Sequence, residues 1–187
     1  RRQRQMCIRD SYKDDTLLNR QPKKSRKIFV CLDEQRGQYL VDGLVAMDFP
    51  LSSGVKAYPT KTGDYAVISK KEDHTSNLYG KMYDAEGKCI NYNAESTDPI
   101  PEGGRFDGSP MPYWQRLTNA GLGLHVGKVR RHPVSHGCVR LPRNVAEILY
   151  RQTSIGTPVT IQKTPLPVPE AQKIPPAQQQ ESEGRKQ

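Results

Sequence analysis

Three of the chain's four histidines and one of its four cysteines fall between Gly123 and Pro142, and a thiol with imidazoles nearby is the raw material of nucleophilic catalysis. A free thiol has a pKa of about 8.5, so little of it is thiolate at neutral pH unless a histidine or a positive potential favours the anion. Cys138 therefore needs a base close in space, and the nearby histidines are His125, His132 and His136.

His136 lies two residues before Cys138, a spacing that shares one face of an extended chain, but Gly137 between them leaves the local geometry open. His125 ends an apolar run, Leu122 to Val126, and is the better candidate base. A loop holding Gly127 and Pro133 can return the chain so that Ser135 to Cys138 lies alongside that run. Adjacent strands about 4.8 Å apart would let thiol and imidazole meet. Gly137 allows a close backbone approach, so amides around Gly137 and Cys138 can face a developing oxyanion. Arg140 is placed to hold a carboxylate through two parallel hydrogen bonds.

Spacing alone leaves other readings open. A cysteine in a β domain can be no more than a small core residue, and Cys138, His136, His132 and His125 could in principle ligate a metal. The metal reading is set aside: no familiar zinc spacing is present, and Arg130, Arg131, Arg140 and Arg143 would repel a cation. Neither metal nor cofactor is expected.

The elements that must position these groups read mostly as short strands. Apolar runs separated by turn signals predict strands at Ile28 to Leu32, Gln38 to Val41, Leu44 to Phe49, Asp64 to Ser69, Lys88 to Tyr92, Leu122 to Val126 and Thr157 to Gln162. Asp42-Gly43 between two of them is a hairpin signal, because a type I′ turn needs positive φ at both central positions. One helix stands out. Pro142 suits its first position, and Val145, Ala146, Ile148 and Leu149 form an apolar stripe before Gly156. The expectation is a mainly antiparallel β domain with a helix just after Cys138.

The ends differ from this middle. Residues 1–27 hold ten Lys or Arg against three Asp, while residues 28–163 hold sixteen against fourteen acids, so the net charge of +9 arises mainly at the N-terminal end. With little apolar content and no aromatic platform, that leader does not read as a nucleic-acid binder, and none is expected as a partner. Its first eleven residues resemble a translated sequencing adapter. No apolar stretch of the kind an export signal needs occurs in residues 1–27, which says nothing in favour of the cytoplasm. No run approaches the roughly 18 apolar residues of a membrane-spanning helix. Residues 164–187, rich in Pro and Gln, lack the apolar content to offset their ordering entropy. Three segments are thus expected: a basic leader, disordered or a linker, at 1–27, a folded domain at 28–163 and a disordered tail at 164–187.

Ser135-His136-Gly137-Cys138-Val139-Arg140-Leu141, with His125 upstream, resembles the signature of the YkuD-type L,D-transpeptidase family. The similarity extends to Ile28 to Phe49, to Ser53-Gly54 followed by Pro59-Thr60-Lys61-Thr62-Gly63-Asp64-Tyr65, and to Met111-Pro112-Tyr113-Trp114 before Gly121 to His125. It implies a mainly β, mixed sandwich- or barrel-like catalytic domain with one or two short helices. It also implies that Cys138 is the nucleophile and His125 the base, with a backbone carbonyl just after the histidine, Val126 or Gly127, orienting the ring. Gly137 and Gly127 are the backbone candidates; Ser135, His136, Arg140 and Tyr113 are the substrate-binding candidates.

By the same resemblance the substrate is a peptidoglycan tetrapeptide stem. Cys138 attacks the carbonyl of its third residue, D-alanine leaves, and an amine acceptor resolves the thioacyl enzyme, forming a 3-3 cross-link or attaching another amine. Water as acceptor would make the chain an L,D-carboxypeptidase, and a non-catalytic peptidoglycan-binding module is a further alternative. A periplasmic or otherwise extracytoplasmic monomer is implied. Among weaker signals, Tyr113 and Trp114 beside prolines could line a channel or simply pack. His74 resembles a family stretch near the groove but reads as a solvated loop residue, and His132 reads as surface. Cys31 and Cys89 are either core thiols, the preferred reading, or a disulfide.

Overall fold

The structure, a computed structural model, describes residues 11–21 and 25–166. The adapter-like residues 1–10 and the tail from residue 167 onward lie outside the described residues. The described chain is mostly β, with strands arranged in three sheets.

The largest sheet runs in the order β1-β4-β3-β2-β13-β5. Its members are β1 (Tyr12–Lys13), β2 (Arg26–Cys31), β3 (Arg36–Val41), β4 (Leu44–Pro50), β5 (Gly63–Ala66) and β13 (Pro158–Gln162). Asp42 and Gly43 take φ of 51° and 79°, as the Asp-Gly hairpin between β3 and β4 requires. The inner face of this sheet carries Ile28, Val30, Tyr39, Phe49, Val159 and Ile161, all essentially inaccessible. Each such side chain gains roughly 1.5–3 kcal/mol from burial.

The second sheet, β12-β11-β10-β6, holds the candidate residues His125 and Arg140. It comprises β6 (Ser69–Lys71), β10 (Trp114–Arg116), β11 (Gly123–Val126) and β12 (Val139–Leu141). One face supplies Leu124, Val139 and Leu141 to the common core. Beneath it packs α2 (Arg143–Gln152), which buries Val145, Ala146 and Leu149. Pro142 serves as the N-cap of α2, one position earlier than the sequence pattern implied. The third sheet, β8-β7-β9, consists of β7 (Thr75–Tyr83), β8 (Cys89–Glu95) and β9 (Arg105–Pro110).

Two expectations need correction. Residues 12–20 of the leader are ordered against the domain: β1 pairs antiparallel with β4, and a short helix, α1 (Asp15–Asn19), is capped by Asp14, whose carboxylate accepts from the Leu17 amide at 3.0 Å. Leu18 is only 4% exposed. Low overall hydrophobicity hid a capping signal followed by a Leu-Leu pair, and this segment covers the otherwise open edge of β4. The expected strand from Asp64 to Ser69 is two strands in two sheets, because the Val67 amide bonds Thr157 and the Ile68 amide bonds Arg116. Pairing is mainly antiparallel, as expected, with parallel pairs of β2 with β13 and of β11 with β12.

Candidate active site

The parallel pairing of β11 with β12 sets the geometry. Parallel strands need a crossover of about a dozen residues, and the segment after Val126 fulfils that role, returning the chain to the same end of the sheet. Leu124 pairs with Val139 and His125 with Arg140. His125 is therefore opposite Arg140, not Cys138. Because side chains alternate, Leu124, Val139 and Leu141 point to the core, while His125, Arg140 and Cys138 share the other face. That face floors a cavity of about 830 Å³, roofed by residues of β7, β8 and β9, and His125, Cys138 and Arg140 all line it.

The Cys138 thiol donates to the Gly121 carbonyl at 3.3 Å and is only partly accessible. Burial pushes its pKa above the ordinary thiol value; the Gly123 amide and the Arg140 and Arg116 guanidinium groups pull the other way. His125 is 6% exposed, and burial pushes its pKa down to about 4, against the opposing hydrogen bond to Val126 and with help from Arg140 and His74. Its Nδ1 lies 2.7 Å from the Val126 carbonyl. A carbonyl only accepts, so Nδ1 carries the proton and Nε2 is left as the basic nitrogen. At rest the site holds a neutral thiol and a neutral, oriented imidazole.

The turn before Cys138 is fastened from several sides. Ser135 Oγ donates to the Cys138 carbonyl and accepts from the Gly137 amide at 3.1 Å. Gly137 has φ of 113°, a backbone conformation that glycine adopts without steric cost. Thr60 Oγ1 donates to the Gly137 carbonyl at 2.7 Å and accepts from the Gly54 amide at 2.8 Å. Ser52 and Arg140 exchange both backbone hydrogen bonds, and the Ser53 carbonyl receives the Val134 and Ser135 amides. Ser53 is in turn gripped by Gln35, which accepts from its amide at 2.9 Å and donates to its hydroxyl at 2.7 Å.

The other candidates from the sequence fall as follows. Of the two carbonyls considered for orienting His125, Val126 is the one bonded; Gly127 instead donates its amide to Leu141 at 3.0 Å. A Cβ on Gly127 would sit 2.7 Å from Arg140 Cγ, so this glycine makes room for the arginine stem. The Gly137 amide is engaged by Ser135, and the Ser135 hydroxyl, 2% exposed as a residue, is spent within the turn. His136 lines the cavity, stacked on Tyr79 with ring centroids 4.4 Å apart and tilted against Tyr58 at 4.8 Å.

Tyr113 does not reach the cavity. Its backbone is left-handed, φ 56°, and its ring meets Tyr150 of α2 at 5.6 Å. That turn hands the groove to its neighbour Trp114, which lines the cavity. His74 is not a free loop residue: it stacks on Trp114 at 5.0 Å and lines the same cavity. Arg116 also lines it. Its sequence setting gave no signal, because its place depends on the pairing of β10 with β11 and β6. Cys31 and Cys89 are free thiols, Cys31 buried. Among the described residues no group of three or more His, Cys, Asp or Glu could hold a metal ion.

Residues 25–161 match YkuD, the L,D-transpeptidase catalytic domain. A Mycobacterium tuberculosis protein described as Probable L,D-transpeptidase 3 is 31% identical over 121 residues, which is 61% of this chain and 38% of that protein. An L,D-transpeptidase from Mycobacterium smegmatis superposes with a TM-score of 0.57 at 22% identity, over 74% of this chain and 58% of that one. L,D-transpeptidase 3 from Mycobacterium tuberculosis, in complex with a faropenem-derived adduct, superposes with a TM-score of 0.56 at 23% identity, over 74% of this chain and 60% of that one. At such identities the structural likeness speaks for the fold. The chain spans about four-tenths of the length of the curated relative it matches. With a family match over most of its length and a fold to accompany it, the chain belongs to the YkuD family of L,D-transpeptidase catalytic domains.

Proposed function

We propose that the chain is a cysteine acyltransferase of peptidoglycan, an L,D-transpeptidase whose nucleophile is Cys138 and whose base is His125. The observation that carries the reading is the placement of both side chains on one face of the β11–β12 pair, flooring one groove, with His125 Nδ1–H tied to Val126 so that Nε2 is the free base.

The resting thiol proton rests on the Gly121 carbonyl. On substrate binding, Sγ transfers that proton to His125 Nε2 and attacks the carbonyl carbon of the third stem residue. The C–N bond to the terminal D-alanine breaks, the imidazolium protonates the leaving amine, and a thioester remains. The acceptor amine then attacks the thioester, its proton passes through His125 to Sγ, and the new amide leaves. Because Ser135 occupies the Gly137 amide, the Cys138 amide is the better oxyanion donor. Arg140, half-buried beside the nucleophile, holds a substrate carboxylate. The substrate places the domain outside the cytoplasm, acting as a monomer; the described residues contain no helix long and apolar enough to cross a membrane.

The test is release of D-alanine from a tetrapeptide stem, with and without an added amine. The parent chain should release it and form the amine adduct, and Cys138→Ala should do neither. Release by Cys138→Ala, or none by the parent, would end the proposal.

A further inference from the structure

His125 has a neighbour whose presence its own strand does not explain. One step along the register that pairs Gln115 with Leu124 and Arg116 with Gly123 puts Trp114 of β10 opposite His125 of β11. Side chains directly opposite on one face of an antiparallel pair meet, and the two ring centroids are 6.0 Å apart, tilted by 50°. Trp114 is 2% exposed and His125 6%, although both line the groove.

A glycine makes room for the indole. A Cβ on Gly123 would stand 2.5 Å from Trp114 Cη2 and 2.6 Å from Cζ3, so the six-membered ring lies against the β11 backbone two residues before His125. His74 stacks on the indole with centroids 5.0 Å apart and planes within 25°. The Arg116 guanidinium carbon is 5.9 Å from the same ring. Gly123, His74 and Arg116 thus hold the indole in place while it stands against the imidazole. Core filling does not account for this arrangement. Among the described residues Trp114 stands outside the cluster of buried apolar side chains, and its Nε1–H meets no acceptor. A buried donor left unpaired costs stability. Phenylalanine would avoid that cost, but it lacks the ring edge that reaches Gly123.

We propose that Trp114 is a positioning residue for the base: with His74 stacked on it, the indole screens the His125 imidazole from water and confines it to the orientation in which Nδ1–H bonds Val126. The role of His125 as base rests on the transpeptidase reading above; the screening does not depend on turnover. Screening acts against the charged form of the ring. The titratable and charged groups that share the groove with His125 are Arg116, Cys138, Arg140 and His74, with Tyr79 and His136 from the roof and the turn, and no aspartate or glutamate lines it to offset a positive imidazole. Burial, aided by Arg140 and His74, accordingly holds the ring at about 4.

The experiment is an NMR titration of the His125 Cε1–H signal in the full chain. The parent midpoint should lie near pH 4. In Trp114→Ala it should rise by about one pH unit or more toward the ordinary value of about 6.5, and Trp114→Phe, which keeps a ring opposite His125, should stay closer to the parent. A folded Trp114→Ala with an unchanged midpoint would overturn the inference, because loss of mere packing leaves the titration where it was. A second measurement needs no substitution at Trp114. It is the chain's one tryptophan, and a protonated imidazole in contact quenches indole emission. In His74→Gln the emission should therefore fall with a midpoint near pH 4, and the step should vanish when His125→Gln is added. A midpoint near 6.5, or no step, would overturn the inference. Neither readout involves D-alanine release, so a parent that shows both midpoints but releases none counts against the transpeptidase reading alone.

Discussion

Burial of His125 has a consequence that can be measured without substrate. In an unfolded chain its imidazole titrates at about 6.5; in the folded protein burial holds it at about 4. As pH falls, the unfolded form binds the proton first, so the contribution is fully present above about 6.5 and is lost as pH approaches 4. At 1.36 kcal/mol per pKa unit, moving from about pH 7.5 to about pH 4.5 should remove about 2.5 kcal/mol of stability through this residue alone. Urea unfolding of the parent and of His125→Gln at the two pH values isolates the effect, since other carboxylates and histidines titrate alike in both. The difference between the two pH-dependent losses should be about 2.5 kcal/mol, with the parent losing more. Equal losses would mean that the imidazole is solvated and that the neutral, oriented base does not exist.

Two further outcomes follow from the same geometry. Alkylation of Cys138 by iodoacetamide should rise with pH to a midpoint above the ordinary thiol value of about 8.5, because burial raises the thiol pKa; a midpoint below 7 would indicate a resting thiolate–imidazolium pair instead. Thr60→Val should cost about 1–3 kcal/mol in urea unfolding, since it strands the Gly54 amide and the Gly137 carbonyl, and should slow acylation as the nucleophile turn loosens. Unchanged stability and rate would show that the turn is held without it.

The proposed nucleophile and base stand out in the sequence because such chemistry requires particular side chains, here in a short, unusual run, Ser135 to Leu141 with His125 upstream. Local chemistry also exposed the Asp42-Gly43 hairpin and α2, whose signals are turn φ values and a stripe at helical spacing. What the sequence hid depends on pairing at long range. The offset of His125 from Cys138 follows from a parallel register, which no local pattern encodes. Trp114 rather than Tyr113 faces the groove because Tyr113 adopts a left-handed backbone that nothing in its residue type announces. His74 looked solvated because its partner, Trp114, is brought to it by pairing of the 69–74 segment with 111–116. The three-stranded roof was only partly readable, since β7 carries polar residues, a glycine and register irregularities that blur any alternation.

The central claim is that the sulfur of Cys138 is the acyl-accepting atom, and intact-mass measurement after exposure to a carbapenem tests it most directly. One covalent adduct should appear on the parent chain, and none on Cys138→Ser or Cys138→Ala. An unmodified parent, or an adduct that persists in either variant, would contradict it.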